Sequence, residues 1–192
     1  MRSSASVRTD PGRWLCAALL LLCLAVAGLA RAEGISVKSA SLNAGEEGYQ
    51  LDASFDIHFN PTLLEALNRG LPLYFISEFE LTRGRWYWFD EVVARHEIQY
   101  RISYNALTRQ YRLASGALYQ NFDTLQEAAG VLSNIRGRVV AEKAALRKGE
   151  EYVAGVRLRL DVTQLPTPFQ VSALTSREWN LASEWERWKF VP

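Results

Sequence analysis

Histidine is scarce in this chain, and the positions of its two copies bound the chemistry available. His58 follows Asp52 and Asp56 at even spacing, so on an extended strand the three side chains point one way at roughly 7 Å intervals. Those are ligand types for a hard cation. The strict polar alternation around them is also what the wet side of a strand looks like, and that is the reading taken. His96 falls among Val92, Ala94, Ile98 and Tyr100 on an apolar face, which suits a hydrogen-bonded core histidine. Zinc wants closer clusters of nitrogen and sulfur ligands. Both cysteines, Cys16 and Cys23, lie in the N-terminal apolar run. No metal, cofactor or disulfide is therefore expected.

Nucleophilic chemistry finds little support. A serine nucleophile is usually announced by Gly-x-Ser-x-Gly, which is absent, and Ser115-Gly116 reads as a turn pair. Neither Gly-x-Gly-x-x-Gly nor Gly-x-x-x-x-Gly-Lys occurs. Asp90 and Glu91 adjoin an aromatic run that suits stacking against a sugar, yet adjacent acids on a strand point to opposite faces and cannot bracket one bond. Arg157 and Arg159, with Arg136 and Arg138, have the makings of an anion patch. With Asp161 beside them, a locally paired face is expected instead. The chain is not expected to be an enzyme.

What remains is Arg83-Gly84-Arg85-Trp86-Tyr87-Trp88-Phe89-Asp90-Glu91. Along an extended chain Trp86 and Trp88 face one way and Tyr87 and Phe89 the other, so a sheet covered on one side cannot hide all four rings. Either another element covers the second side or one pair is a contact surface. Trp179, Trp185 and Trp188, near the C-terminus, can supply cover. Arg83, Arg85, Trp86, Trp88, Trp185 and Trp188 are the candidate ligand- or partner-contact residues, with cation-π contacts from the two arginines.

The elements that must position these residues begin after a leader. Arg2, Arg8 and Arg13 precede an apolar run from Trp14 to Ala30, and Ala30-Arg31-Ala32 matches a signal-peptidase site. Residues 1–32 are expected to be a cleaved export signal, and residues 33–192 one domain in the periplasm. The alternative is an N-terminal anchor, against which the run falls short of the ~20 apolar residues a span needs. Leu22 before Cys23 does not fit a lipoprotein box. The leader holds four of the 22 basic and one of the 21 acidic residues, leaving 18 against 20, a net charge of −2. That balance predicts no affinity for nucleic acid or for an anionic membrane.

Tyr49 to Phe59 alternates as a half-buried strand, with Ile35 to Leu42 as its hairpin partner. Asn60-Pro61 opens a short helix that Gly70 ends. Strands follow over Leu73–Leu81, over 86 to about 104 with a break near Asp90, and over Gln110–Tyr119. Asp123 and Gln126 predict a capping box for a second helix, periodic through Ile135 to Gly137. Arg138–Glu142 and Tyr152–Val162 read as strands, Pro166 and Pro168 as a connection, and about 185–191 as a last strand. The pattern predicts a mainly β, antiparallel, immunoglobulin-like sandwich with two short connecting helices. A bent antiparallel α+β sheet flanked by two helices is the alternative.

The segments LNRGLPLYFISEFELTRGRWYWFDE (67–91), YRISYNALTRQYRLASGAL (100–118) and QLPTPFQVSALTSREWNLASEW (164–185) resemble a family of exported proteobacterial proteins labelled domain of unknown function 4390. The likeness covers nearly all of the chain after residue 32, and Arg83–Asp90 and Ser103–Tyr111 look like its signatures. It brings no activity, cofactor or catalytic residue. It does imply an association, through neighbouring genes, with a nitrogen-responsive sensor kinase and its response regulator. The expected function is a noncatalytic periplasmic interaction module, accessory to an envelope two-component sensor. The alternative is a carrier of a small apolar or saccharide ligand, held between the aromatic run and the C-terminal tryptophans.

Overall fold

The computed structural model describes residues 34–192 except Trp86 and Trp88, with the side chains of residues 172, 174 and 175 left aside. The leader and two of the candidate contact residues, Trp86 and Trp88, thus lie outside the described residues. The chain divides into Met1–Ala32 and Glu33–Pro192, and the described residues belong to the second unit.

Alternation builds two antiparallel sheets. In the first, β1 (Gly34–Ala44) and β7 (Asn134–Ala141) flank β2 (Tyr49–His58). The second runs β6 (Leu118–Phe122), β5 (Gln110–Ser115), β4 (Glu91–Asn105), β3 (Leu73–Arg83), β8 (Tyr152–Leu160) and β9 (Glu186–Phe190). The order β1-β2-β7 against β9-β8-β3-β4 is that of strands A-B-E against G-F-C-C′ in an immunoglobulin-like sandwich. Period-two patterning fills the space between the sheets: Leu51, Ala53 and Phe55 of β2 are buried together with Phe75, Phe79 and Leu81 of β3 and Ala154, Val156 and Leu158 of β8. Truncating one such ring to alanine costs about 3–5 kcal/mol.

Among the described residues three α-helices connect the strands. In α1 (Pro61–Asn68) the Asn60 side chain accepts the Leu63 N–H at 2.9 Å, with proline in the first turn. Gly70, at φ +90°, follows its end, in the left-handed region that suits glycine. α2 spans Leu125–Leu132 and α3 Thr167–Thr175. No helix among the described residues is long and apolar enough to cross a membrane.

Several expectations need correction. The second helix is capped by Thr124, whose hydroxyl accepts the Glu127 N–H at 3.2 Å, so the box is Thr-x-x-Glu one residue later than expected. That helix stops at Leu132, because Ile135 pairs opposite Ala53 as part of β7. The stretch 110–119 is not one strand. It turns at Ser115-Gly116 and continues as β6 through Phe122. The 166–168 connection is the start of α3, where Pro166 accepts the amides of Phe169 and Gln170. β4 begins only at Glu91, and Tyr87 lies in a turn and Phe89 in a bend before it. The argument from alternating faces therefore does not govern the Tyr87 and Phe89 rings.

Candidate functional site

The loop 84–90 joins the end of β3 to the start of β4, and ion pairs close its base. Arg83 ends β3 in register with Glu91, the first residue of β4. Its Nη2 lies 2.5 Å from Glu91 Oε2, and its Nη1 lies 3.0 Å from Glu150 Oε2. Arg85 reaches the same Glu91 oxygen at 2.8 Å. Tyr152, buried on β8, donates its hydroxyl to Glu150 Oε2 at 3.0 Å and accepts the Arg147 amide at 2.9 Å. One arginine thus bridges two carboxylates contributed by different segments, and a buried phenol fixes one of them.

The charges tune one another. Hydrogen bonds from Arg85 and then Arg83 hold the Glu91 carboxyl below the usual carboxylate value. Arg83 and then Tyr152 do the same for Glu150. Glu91 and then Glu150 raise the already high affinity of Arg83 for its proton. The charged groups are partly exposed, so their worth is in fixing geometry more than in net stability. Above this base Tyr87 is 64% exposed and Phe89 83% exposed.

The six candidate contact residues do not converge on one pocket. Arg83 and Arg85 meet at the loop base. Trp188 stands opposite Ala154, on the inner face of β9, and packs against the core. Trp185 lies on the outer face over Gly155, where an added Cβ would come within 3.3 Å of its ring. The guanidiniums of Arg157 and Arg187 lie 4.7 and 5.3 Å from the Trp185 ring centre. Arg157 and Arg159 both bind Glu78, whose carboxyl is raised by burial but lowered further by the two guanidiniums, leaving it below its ordinary value. The local pairing expected for Arg157 and Arg159 is found. Arg136 and Arg138 belong to β7, in the other sheet.

The strand-face carboxylates are also engaged. Asp56 lies 3.4 Å from Lys38 Nζ and 3.5 Å from His58 Nε2, while Asp52 accepts the Gly137 amide at 2.8 Å and Asn43 Nδ2 at 3.0 Å. His96 does face inward, but its Nε2 is sealed without a hydrogen-bond partner among the described residues, contrary to the expected core hydrogen bond.

Sequence reasoning missed one feature. A groove of about 500 Å³ opens between α1 and α3, lined by Ala66, Leu71, Pro72, Pro166, Phe169 and Trp179. Thr62 of α1 donates to Glu178, in the turn that follows α3, at 2.7 Å. The signal was proline at 166 and 168, which suits a helix start as well as a connection. Of the C-terminal tryptophans, Trp179 lines this groove while Trp185 and Trp188 do not.

No curated protein and no solved structure shows significant similarity to the chain. A family model described as Domain of unknown function (DUF4390) matches residues 32–189, from before β1 into β9 and across the braced loop. The chain belongs to that family.

Proposed function

We propose that this protein is a noncatalytic interaction module of the periplasm, exported by its first thirty-two residues, which contacts the extracytoplasmic part of a membrane sensor through the β3–β4 loop. The observation that carries this reading is the pairing of two exposed rings, Tyr87 and Phe89, with a loop base held by Arg83, Glu91, Glu150 and Tyr152. A braced loop loses little freedom on binding, so aromatic contacts there give more net affinity. Replacing Tyr87 and Phe89 together by alanine is expected to shift Tm by no more than about 2–4 °C, because each exposed substitution stays within about 0.5 kcal/mol. Co-purification with the sensor should be lost. Cooperative unfolding at a much lower temperature would show the rings to be packing groups and remove the assignment.

The α1–α3 groove favours a second reading, a carrier for a small apolar ligand. Its volume lies within the range of small-molecule sites, and Phe169 and Trp179 give it aromatic walls. Organic extraction of the purified protein is expected to release a bound compound that Phe169→Ala no longer retains. An empty extract from both proteins rules this reading out.

A further inference from the structure

β4 is the longest strand described, and its two edges are unequally covered. β3 runs along one edge from Glu91 to Ile102, whereas β5 pairs with the other only from Arg101 to Asn105. Among the described residues no strand covers that second edge from Glu91 to Tyr100. An open edge of this kind presents unpaired N–H and C=O groups to any strand that fits. Other edges are blunted: β1 bulges at Lys38, β7 carries two register shifts against β2, and β6 and β9 have five residues each. On β4 the register against β3 is regular from Ala94 onward, with its one irregularity at Val93.

The exposed run is complementary to itself. Arg95 and Glu97 point to the outer face, opposite Glu80 and Glu78 of β3, while Ala94, His96 and Ile98 point inward. Laid antiparallel on a second copy about His96, the run sets Arg95 opposite Glu97 twice and Ala94 opposite Ile98 twice. Centring on Arg95 or Glu97 would instead oppose like charges, which is unfavourable. A register centred between residues would set inner faces against outer ones.

We propose that two copies of this chain pair antiparallel along the Ala94–Ile98 edge, with His96 on the two-fold axis, so that their six-stranded sheets become one continuous sheet. Two local observations support this pairing. Glu97 makes no ion pair among the described residues, and the pairing sets beside it Arg95 of the second copy, which also holds Glu80 of its own chain at 2.6 Å. Among the described residues His96 Nε2 is a buried side-chain atom without a hydrogen-bond partner, and the axis brings a second imidazole to cross-strand distance, about 4.5–5.5 Å between Cβ atoms. Arg138 of β7 is the charged group that acts on His96 from the other sheet. The interface is isologous and closes at two copies. It goes beyond the loop contact, since residues 84–90 precede the paired run.

Sedimentation velocity on protein purified from cells expressing the full chain tests the pairing. The unmodified protein is expected to dimerise, Arg95→Glu and Glu97→Arg each to weaken the dimer at least about tenfold, and the double swap to recover to within about threefold. Monomer at every soluble concentration, single reversals without effect, or a double swap no stronger than the singles would each overturn the proposal. Should a variant fail to fold, hydrogen exchange on the unmodified protein decides. The amides of Ala94–Ile98 must gain protection with concentration, and concentration-independent exchange contradicts the seam.

Discussion

His96 and three glutamates hold their protons less tightly in the folded chain than in an extended one. For His96, burial and then the nearby Arg138 lower the imidazole below its ordinary 6.5. Arginines lower Glu91 and Glu150, and for Glu78 they outweigh the opposing effect of burial, so all three lie below 4.5. In each case the unfolded state binds the proton first as pH falls. The stability from His96 is therefore complete above pH 6.5 and is lost as pH falls toward its folded value, while that from the glutamates is complete above 4.5 and lost below it. A series of thermal melts against pH is expected to show two descending steps. His96→Phe should abolish the upper step and leave the lower one, whereas an unchanged upper step would place its origin elsewhere. The residue types and the facing of His96 were legible from alternation. The Arg83–Glu91–Glu150–Tyr152 brace was not, because Arg83 and Glu150 lie 67 positions apart and only the β3–β8 pairing brings their segments together.

At the scale of elements, Asn60 joins two segments. Its Oδ1 caps α1, and its Nδ2 donates to the Glu178 carbonyl at 2.6 Å, tying the C-terminal turn to the helix. Asn60→Ala removes a cap worth about 1 kcal/mol and leaves a carbonyl short of its donor at about 1–2 kcal/mol more, so urea unfolding should show a loss of about 2–3 kcal/mol. Asn60→Asp keeps the cap and loses only the tether, so it should fall between. Equal losses in the two variants would mean that the cap contributes nothing. Elements with a strong local signal, such as the alternation of Tyr49–Phe59 and Tyr152–Val162 or the Asn60-Pro61 start, are where sequence and structure agree. The differences share a cause, since local pattern runs across a boundary that tertiary packing sets. Ile135 continues a helical period yet pairs with β2. Ser115-Gly116 reads as a turn, yet the alternation continues on both sides of it. In α3 the apolar residues Phe169, Val171 and Ala173 form no single stripe, so periodicity gives no helix signal.

The molecule from residue 34 onward is an immunoglobulin-like sandwich whose larger sheet carries three distinct surfaces. They are the braced loop between β3 and β4, the open edge of β4, and the outer face where Arg157, Trp185 and Arg187 stack. The α1–α3 groove is a fourth, independent feature. Fold class was readable because it depends on the number and spacing of alternating runs, which survive errors of a few residues at their ends. Which rings are exposed depends on where β4 begins, and no local pattern in an unbroken aromatic run marks that point. The proposed contact between this loop and a membrane sensor can be captured with a photoreactive residue placed at Tyr87 in intact cells. A cross-link to the extracytoplasmic part of a membrane sensor is expected, lost when Phe89 is also changed to alanine. Cross-links confined to the protein's own chain, or to soluble proteins alone, would contradict it.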